Sequence, residues 1–365
     1  MNVIFVSNYL NYHQTQLWDS FVQNKDVSFV FLELEPEYSV IKSQENRSYC
    51  IQLKDVEHLD IKDYLRTFDI IIIGNCKNKR ILSSLPTDKV VFHCSEHYWK
   101  KINTPLSLLK RIYRMIELRK RYKRLKQINI LATSSRLKRE LDKNGVKYAN
   151  CFKFAYFPPT NKTTNNEIER KNKKIVFIGR AIYWKRPEYS FFALKEFNKI
   201  DCGWTLDVFS EGKYLNNMKF KAKNIPSVNF HSFVSHDEVL KKFQEAEVFV
   251  FSSNREEGWG AVLNEALSCG TIVFASSDAG ATNYLIKDGF NGFTFKTKKE
   301  LKRKIALYLK MSEQKKEQIR SNAFLTIANE WNEKTASERL LLLFRSLLSN
   351  NRIPCYKEGP LSLDR

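Results

Sequence analysis

Short apolar, β-branched segments alternate with helix-like segments along the whole chain, and this alternation limits the fold more than any other feature. Strand followed by helix, repeated, is typical of parallel sheets that are covered by helices on both faces. The predicted strands are 2–7, 28–33, 70–74, 90–93 and 128–134, then 174–179, 205–210, 229–233, 248–252 and 271–275. We therefore predict an α/β protein with two doubly wound, Rossmann-like domains that face each other across a cleft.

One polar segment divides the two strand–helix series. "PPTNKTTNNEIERKNKK" (158–174) begins with two prolines and has no hydrophobic period, which indicates a linker or long loop. We predict an N-terminal domain over 1–158, a linker over 159–173 and a C-terminal domain over 174–328. A leucine-rich helix is predicted over 324–348, and the segment 329–365 is expected to cross back to the N-terminal domain.

The chain of 365 residues is strongly basic, with 61 Lys and Arg against 40 Asp and Glu. Nucleic acid, an anionic membrane surface and phosphorylated substrates could each attract the net charge of +21. No nucleic-acid-binding motif is present, so we expect no nucleic-acid partner. Segment 109–126 combines a broad basic face with apolar residues, which favours contact with an anionic inner membrane surface; the alternative is a solvated charged helix.

The sequence indicates a cytoplasmic protein. "MNVIFVSNYL" predicts a first β-strand and not a signal peptide, and no apolar run reaches the ~20 residues of a membrane span. The seven cysteines are scattered without a Cys-x-x-Cys pair, which argues against a disulfide framework and against a zinc site.

The stretch "REEGWGAVLNEALSCG" (255–270) predicts a ligand-binding loop. It follows a buried strand and leads into a helix, and glycines at this position let the backbone approach a ligand closely. Glu257 and Glu265 flank the turn Gly258-Trp259-Gly260, and their carboxylates could accept hydrogen bonds from two parts of one hydroxylated ligand. The alternative is that both glutamates are solvated residues near a helix start.

A second loop supplies cations. In "IVFIGRAIYWKRPE" (175–188), Arg180 and Lys185 follow a predicted strand and suit a diphosphate, although a solvated basic loop would have the same composition. The loop 276–293 could add backbone N–H groups at Ala279-Gly280-Ala281.

These segments, in this order, resemble the donor-side motifs of the retaining glycosyltransferases of family 4, which have the GT-B fold. "EEGWGAVLNEALSCG" is similar to the Glu-x7-Glu signature of that family, and the likeness covers roughly 175–295. The resemblance implies a glycosyltransferase that uses a nucleotide-sugar donor, with UDP as the expected nucleotide, and that acts in bacterial capsule, exopolysaccharide or lipopolysaccharide synthesis. The acceptor would be a saccharide or a lipid-linked sugar.

The resemblance also implies residue roles. Glu257 would contact the donor sugar, Glu265 the ribose hydroxyls, and Arg180 with Lys185 the diphosphate. The backbone of Phe233-Val234 would pack against the nucleotide base. Gly212, in "FSEGK" (209–213), stands where the family usually has a glycine-rich turn.

The N-terminal domain would bind the acceptor. His13 follows the first predicted strand, and His93 and Glu96 end another, in "VVFHCSEHYWKK" (90–101). We predict that His93, or else Glu96 or His13, approaches the reacting sugar; each could instead be a strand-end residue that bonds to backbone.

No Asp-x-Asp motif occurs, so we expect neither a metal nor a resident cofactor, and the leaving group would depend on Arg180, Lys185 and helix N-termini. A front-face route, in which the departing phosphate helps to deprotonate the acceptor, fits these residues. Two rival functions stay open: a nucleotide-sugar epimerase of GT-B fold, and a non-catalytic partner subunit of a transferase complex. An oxidoreductase is disfavoured because no Gly-x-Gly-x-x-Gly follows a strand.

Overall fold

The computed structural model describes residues 1–35, 47–99, 105–125, 127–161 and 171–364. The chain divides into two compact units: unit 1 comprises Met1–Pro158 and Trp331–Arg365, and unit 2 comprises Pro159–Glu330. Most of the predicted linker and the last residue of the predicted basic segment 109–126 lie outside the described residues.

Unit 1 contains a seven-stranded parallel sheet with the order β3-β2-β1-β4-β5-β6-β7. The four side chains of β4 are all isoleucines and all buried, as expected of a central strand that is covered on both faces. The strands are β1 (Asn2–Ser7), β2 (Ser28–Glu33), β3 (Cys50–Gln52), β4 (Ile70–Ile73), β5 (Val90–Ser95), β6 (Asn129–Ala132) and β7 (Asn150–Lys153).

Among the described residues of unit 1, the helices that connect these strands are α1 (Tyr12–Phe21), α2 (Leu53–Val56), α3 (Ile61–Arg66), α4 (Lys79–Ser84), α5 (Pro105–Arg124) and α6 (Leu137–Lys143). The basic segment of the sequence forms most of α5, whose buried residues Met115, Leu118 and Tyr122 pack into the core. No helix within the described ranges is both long and apolar enough to cross a membrane.

Unit 2 contains a six-stranded parallel sheet with the order β10-β9-β8-β11-β12-β13. Its strands are β8 (Lys171–Ile178), β9 (Thr205–Phe209), β10 (Val228–His231), β11 (Ala246–Phe251), β12 (Ile272–Ser276) and β13 (Phe293–Phe295). Because β8 lies between β9 and β11, the sheet is doubly wound, and the loops after β8 and β11 meet at its carboxyl edge.

The helices of unit 2 are α7 (Glu188–Ile200), α8 (Leu215–Ala222), α9 (His236–Glu245), α10 (Val262–Ser268), α11 (Thr282–Leu285), α12 (Lys298–Leu309) and α13 (Glu313–Leu325). Side-chain caps explain several of their starts. Ser235 forms a capping box with Glu238 at α9, and Thr297 and Ser312 cap α12 and α13.

The chain then returns to unit 1 through α14 (Glu333–Leu348), which Asn332 caps and which packs against α1. The Phe344 ring lies 6.0 Å from the Phe21 ring and 5.2 Å from the Phe92 ring. After α14, the tail folds back onto β7, where Phe152 and Leu363 form an isolated antiparallel bridge and Lys153 exchanges backbone hydrogen bonds with residues 361 and 362.

Two features differ from the predicted elements. The three-residue strands β3 and β13 and the four-residue strand β7 were not predicted, because none of these short segments contains three consecutive apolar residues. The helix predicted over 324–348 is interrupted: α13 ends at Leu325, a π-helical turn spans Thr326–Glu330, and α14 starts at Glu333.

Candidate active site

The strand-end loops of unit 2 converge at the carboxyl edge of its sheet. The backbone N–H of Asn254, after β11, donates to the carbonyl of Trp184, after β8. The loops after β8 and β9 meet where Ala181 N–H donates to the Glu211 carbonyl, next to Gly212. The loop after β12 joins them through Ala281 N–H, which donates to the carbonyl of Trp259.

Lys185 and Glu257 form an ion pair at this edge. Lys185 Nζ lies 2.6 Å from Glu257 Oε2, and the side chains are only 16% and 14% exposed. Ser253 Oγ donates a hydrogen bond of 2.9 Å to the same carboxylate oxygen. Separate roles on the diphosphate and on the sugar were predicted for these two residues, and the structure brings them into direct contact. A ligand phosphate at Lys185 would therefore lie beside Glu257.

Arg180 and Gly212 sit on the two loops next to this pair. Arg180 is exposed, so its guanidinium is accessible to a ligand. Gly212 has φ +126°, and a Cβ there would lie 2.9 Å from the carbonyl oxygen of Ala181, so the close approach of the two loops requires glycine.

The turn Gly258-Trp259-Gly260 is buried. Trp259 is 1% exposed and its Nε1–H donates 2.8 Å to Asn264 Oδ1, so the indole is a core anchor of the loop. Gly260 has φ +96°, and a Cβ there would approach the Phe251 ring to 2.4 Å. Burial of Trp259 and close packing of Gly260 on Phe251 thus fix the backbone that follows Glu257.

Glu265, on α10, is 7% exposed and pairs with a residue that the sequence analysis missed. His236 Nε2 lies 3.4 Å from Glu265 Oε1, at the first residue of α9. Burial would lower the pKa of His236, but the hydrogen bond and the charge of Glu265 outweigh it, and the pKa is raised above 6.5. Phe233, which is 44% exposed, and the half-buried Val234 precede His236 in the same loop.

Arg186 was also missed, and it ties two strand-end loops together. Its guanidinium donates 2.7 Å to the Ser252 carbonyl and 2.7 Å to Ser276 Oγ, and it lies 3.7 Å from Asp278. Its φ is +47°, a left-handed value that is uncommon for a non-glycine residue. The side-chain contacts of Arg186 offset the strain of its own left-handed backbone, which directly follows Lys185.

Unit 1 has a cavity of about 620 Å³ at the carboxyl ends of β1, β4, β5 and β6. His93 and Glu96, two of the predicted acceptor-side residues, line this cavity. His13 does not line it, but its ring stacks on Tyr156, which does, with centroids 6.2 Å apart. The structure therefore groups the three N-terminal candidates around one cavity and leaves their catalytic roles as predictions.

His93 is a neutral imidazole in this fold. It is 7% exposed, and its Nδ1 bonds to the Tyr122 hydroxyl of α5. Burial, assisted by the nearby charge of Arg121, lowers the pKa of His93 to about 3. Near neutral pH, His93 can therefore accept or donate a hydrogen bond but carries no charge.

The helix α5 has two roles that the sequence pattern did not separate. Tyr113, Arg114, Glu117, Leu118 and Arg121 line the cavity of unit 1. The neighbouring surface of α5 is apolar and exposed, at Leu108, Leu109, Ile112, Tyr113 and Ile116.

Across the described ranges, no group of three or more His, Cys, Asp or Glu side chains is placed to hold a metal ion.

Residues 160–325 match the family model described as Glycosyl transferases group 1. The chain carries a glycosyl transferases group 1 domain. This group 1 domain covers most of unit 2 and contains every donor-side candidate from Arg180 to Glu265.

The group 1 domain has a curated relative in the protein named uncharacterized glycosyltransferase MJ1069, from Methanocaldococcus jannaschii. The two are 30% identical over 141 residues, which are 37% of this chain and 36% of the relative. The chain thus matches about a third of that relative's length.

Solved structures match nearly the whole chain. Anabaena HepE, solved in complex with UDP, has a TM-score of 0.69 at 17% identity, and the match covers 96% of this chain and 100% of HepE. A glycosyltransferase from Rickettsia africae has a TM-score of 0.69 at 12% identity, covering 96% and 99%. With the two parallel sheets, these likenesses show the GT-B fold, and the predicted fold class is confirmed.

Proposed function

We propose that the protein is a retaining glycosyltransferase that transfers a hexose or N-acetylhexosamine from a UDP-sugar to a saccharide or lipid-linked acceptor in bacterial surface-polysaccharide synthesis. The observation that carries the proposal is the convergence of Arg180, the Lys185–Glu257 pair and Glu265 at one sheet edge of a group 1 domain. UDP is supported by HepE, which was solved with UDP.

The charges at this edge suit a nucleoside diphosphate bonded to a sugar. In the proposal, Arg180 and Lys185 neutralise the diphosphate as the sugar bond breaks, when negative charge grows on the departing phosphate. Glu257 is then free to accept a hydroxyl of the donor sugar, and Glu265, held by His236, accepts the ribose hydroxyls. The departing phosphate helps to deprotonate the acceptor on the same face of the sugar, which retains the anomeric configuration.

The cavity of unit 1 is proposed as the acceptor site, with His93 as the group nearest the reacting hydroxyl. A neutral imidazole suits a hydrogen-bond partner of a sugar hydroxyl, and burial keeps His93 neutral.

We also propose that α5 attaches the protein peripherally to an anionic membrane on its cytoplasmic face. Its exposed apolar residues lie among basic side chains, as in helices that bind membrane interfaces, and each Lys or Arg near such a surface contributes about 1 kcal/mol. Flotation with phosphatidylglycerol vesicles at low and high salt tests this part. Absence of binding at low salt would remove the membrane from the proposal.

The central experiment is a thermal-shift panel of UDP-, GDP- and ADP-sugars, followed by turnover assays with the ligand that binds. Ligand at a hundred times its Kd should stabilise the protein by about 2.7 kcal/mol, a shift of roughly 5–10 °C for a unit of this size. Glu265→Gln should lose most of the shift. Glu317→Gln, at a 70% exposed carboxylate on α13, is the matched control and should keep it.

Turnover separates the rival functions. Conversion of UDP-N-acetylglucosamine without an acceptor would identify an epimerase. Donor binding without either hydrolysis or transfer would indicate a non-catalytic subunit. A panel in which no nucleotide-sugar shifts the melting temperature would refute the proposal itself.

A further inference from the structure

The cavity of unit 1 is continuous with an exposed apolar surface on α5. Tyr113 belongs to both, because it lines the cavity and is 62% exposed. Leu109, Ile112 and Ile116 continue the surface and are 65%, 51% and 44% exposed. At 3.6 residues per turn, these positions share one side of the helix. Contiguous exposed apolar surface, rimmed by polar residues, is typical of binding sites.

The cavity itself carries excess positive charge. Lys77, Lys79, Arg114 and Arg121 line it, against the carboxylates of Glu96 and Glu117, so its formal charge is +2. His93 adds none, because its imidazole is neutral.

The two arginines project from the same side of α5, two turns apart, and Glu117 lies one turn from each. Within the described part of the chain, neither guanidinium has a carboxylate within ion-pair distance; Arg114 lies 5.6 Å from the centre of the Tyr98 ring. Guanidinium groups that line a cavity without a carboxylate within ion-pair distance suit a phosphate group, whose anionic oxygens accept charged hydrogen bonds.

We propose that this cavity recognises the phosphate of a lipid-linked acceptor, with Arg114 and Arg121 on the phosphate and the apolar chain along Leu109, Ile112, Tyr113 and Ile116. The inference rests on the proposed transferase function and narrows its acceptor to one class. A neutral polysaccharide would not need the excess cations that line the cavity.

The test is vesicle flotation without any nucleotide-sugar. Two kinds of phosphatidylcholine vesicle are compared, one doped with polyprenyl phosphate and the other with an equal mole fraction of phosphatidylglycerol. The salt concentration is set so that the wild-type protein is released from the phosphatidylglycerol vesicles. Wild type should stay on the polyprenyl phosphate vesicles, since a site contact is screened less than a diffuse surface attraction. Equal release from both vesicles would overturn the proposal.

Variants then locate the site. Arg114→Gln/Arg121→Gln should bind polyprenyl phosphate vesicles about a hundredfold more weakly, about tenfold for each charged hydrogen-bonding group. Lys120→Gln/Lys123→Gln removes the same charge from exposed positions of α5 that do not line the cavity. At the salt concentration of the flotation test, where the diffuse surface attraction is screened, it should change binding less than about threefold. Equal losses in the two variants would indicate a diffuse basic surface and overturn the site.

A further pair of measurements separates the phosphate from the chain. Ile112→Ser/Ile116→Ser should weaken binding to polyprenyl phosphate vesicles. It should leave unchanged the rise in melting temperature that a short-chain isoprenyl phosphate causes. Inorganic phosphate should raise the melting temperature less than that short-chain compound does. If inorganic phosphate protects equally well and the serine variant still binds the vesicles, the cavity binds a free phosphate and the lipid assignment is wrong. The UDP shift of each variant is recorded in parallel, so failure of the donor site is distinguishable from failure of the acceptor site.

Discussion

Replacing Lys185 by alanine should damage both the stability and the activity of the protein, whereas replacing Arg180 should damage activity alone. The difference follows from their surroundings. Lys185 is largely buried against Glu257, so its removal leaves a largely buried carboxylate with Ser253 as a remaining donor. Arg180 is exposed, and in the described ranges it forms no ion pair. Both cations are proposed to face the donor diphosphate.

The magnitudes can be estimated from burial. Removing one partner of a fully buried ion pair costs about 3–5 kcal/mol. Because the two side chains are 16% and 14% exposed and Ser253 still donates to Glu257, we expect about 2 kcal/mol for Lys185→Ala. That lowers the melting temperature by roughly 4–8 °C, whereas Arg180→Ala should change stability by less than about 0.5 kcal/mol. Each variant should lose about 10²–10³ in kcat.

The assays are thermal unfolding and initial rates of UDP release with the donor found in the ligand panel. Arg303→Ala, an exposed cation on α12, is the control and should change neither quantity. Lys185→Met/Glu257→Gln removes both charges and should recover most of the stability but no activity. Unaltered turnover in Lys185→Ala would refute the phosphate role, and a double variant that melts as low as Lys185→Ala would refute the explanation by a stranded carboxylate.

Three further predictions concern pH and backbone. Glu265 raises the pKa of His236, so the attraction between them stabilises the fold fully below about pH 6.5 and is lost as pH rises through the raised pKa. His236→Gln should therefore flatten the pH dependence of the free energy of urea unfolding in that range. An unchanged pH profile would contradict the role of this pair. The pKa of His93 is lowered to about 3, so stability should fall as pH drops below about 6.5, because only the unfolded chain takes up the proton. His93→Gln should remove about 1.4 kcal/mol per pH unit from that slope between roughly pH 6 and 4 in the same assay; an equal slope would show that other groups cause it. Gly260→Ala should abolish most of the UDP-dependent thermal shift, because its Cβ would lie 2.4 Å from the Phe251 ring. Gly289→Ala is the control, since Gly289 has φ +76° and nothing lies within 4 Å of its Cβ. It should cost only about 1–2 kcal/mol of backbone strain and keep the thermal shift.

Much of the fold could be predicted because long β-branched runs and helix-like segments alternate along the chain. β1 and β2 begin and end where the sequence pattern predicts. The pattern could not reveal β7, because its sequence NCFK has polar residues at both ends and no apolar run. This strand depends on pairing with β6 and with the C-terminal tail. Tertiary pairing, and not local preference, makes such short strands.

The candidate site was predictable as a set of residues but not as a set of contacts. Motif spacing indicates that Lys185 and Glu257 face one ligand, yet only the adjacency of β8 and β11 in the sheet brings them together. His236 carries no local signal, because its partner Glu265 lies on another helix. On α5, amphipathic spacing predicts a basic face but cannot tell which arginines line a cavity.

The return of the chain to unit 1 has a consequence for synthesis on the ribosome. Phe344 packs on Phe21 and Phe92, and the tail pairs with β7, so the last 35 residues complete a core that the first 158 begin. At about 5–20 residues per second, roughly 10–40 s separate these two events. Unit 2 is synthesised during that interval, while unit 1 exposes aromatic surface and an open strand edge, so nascent chains should need chaperone protection at the N-terminal half.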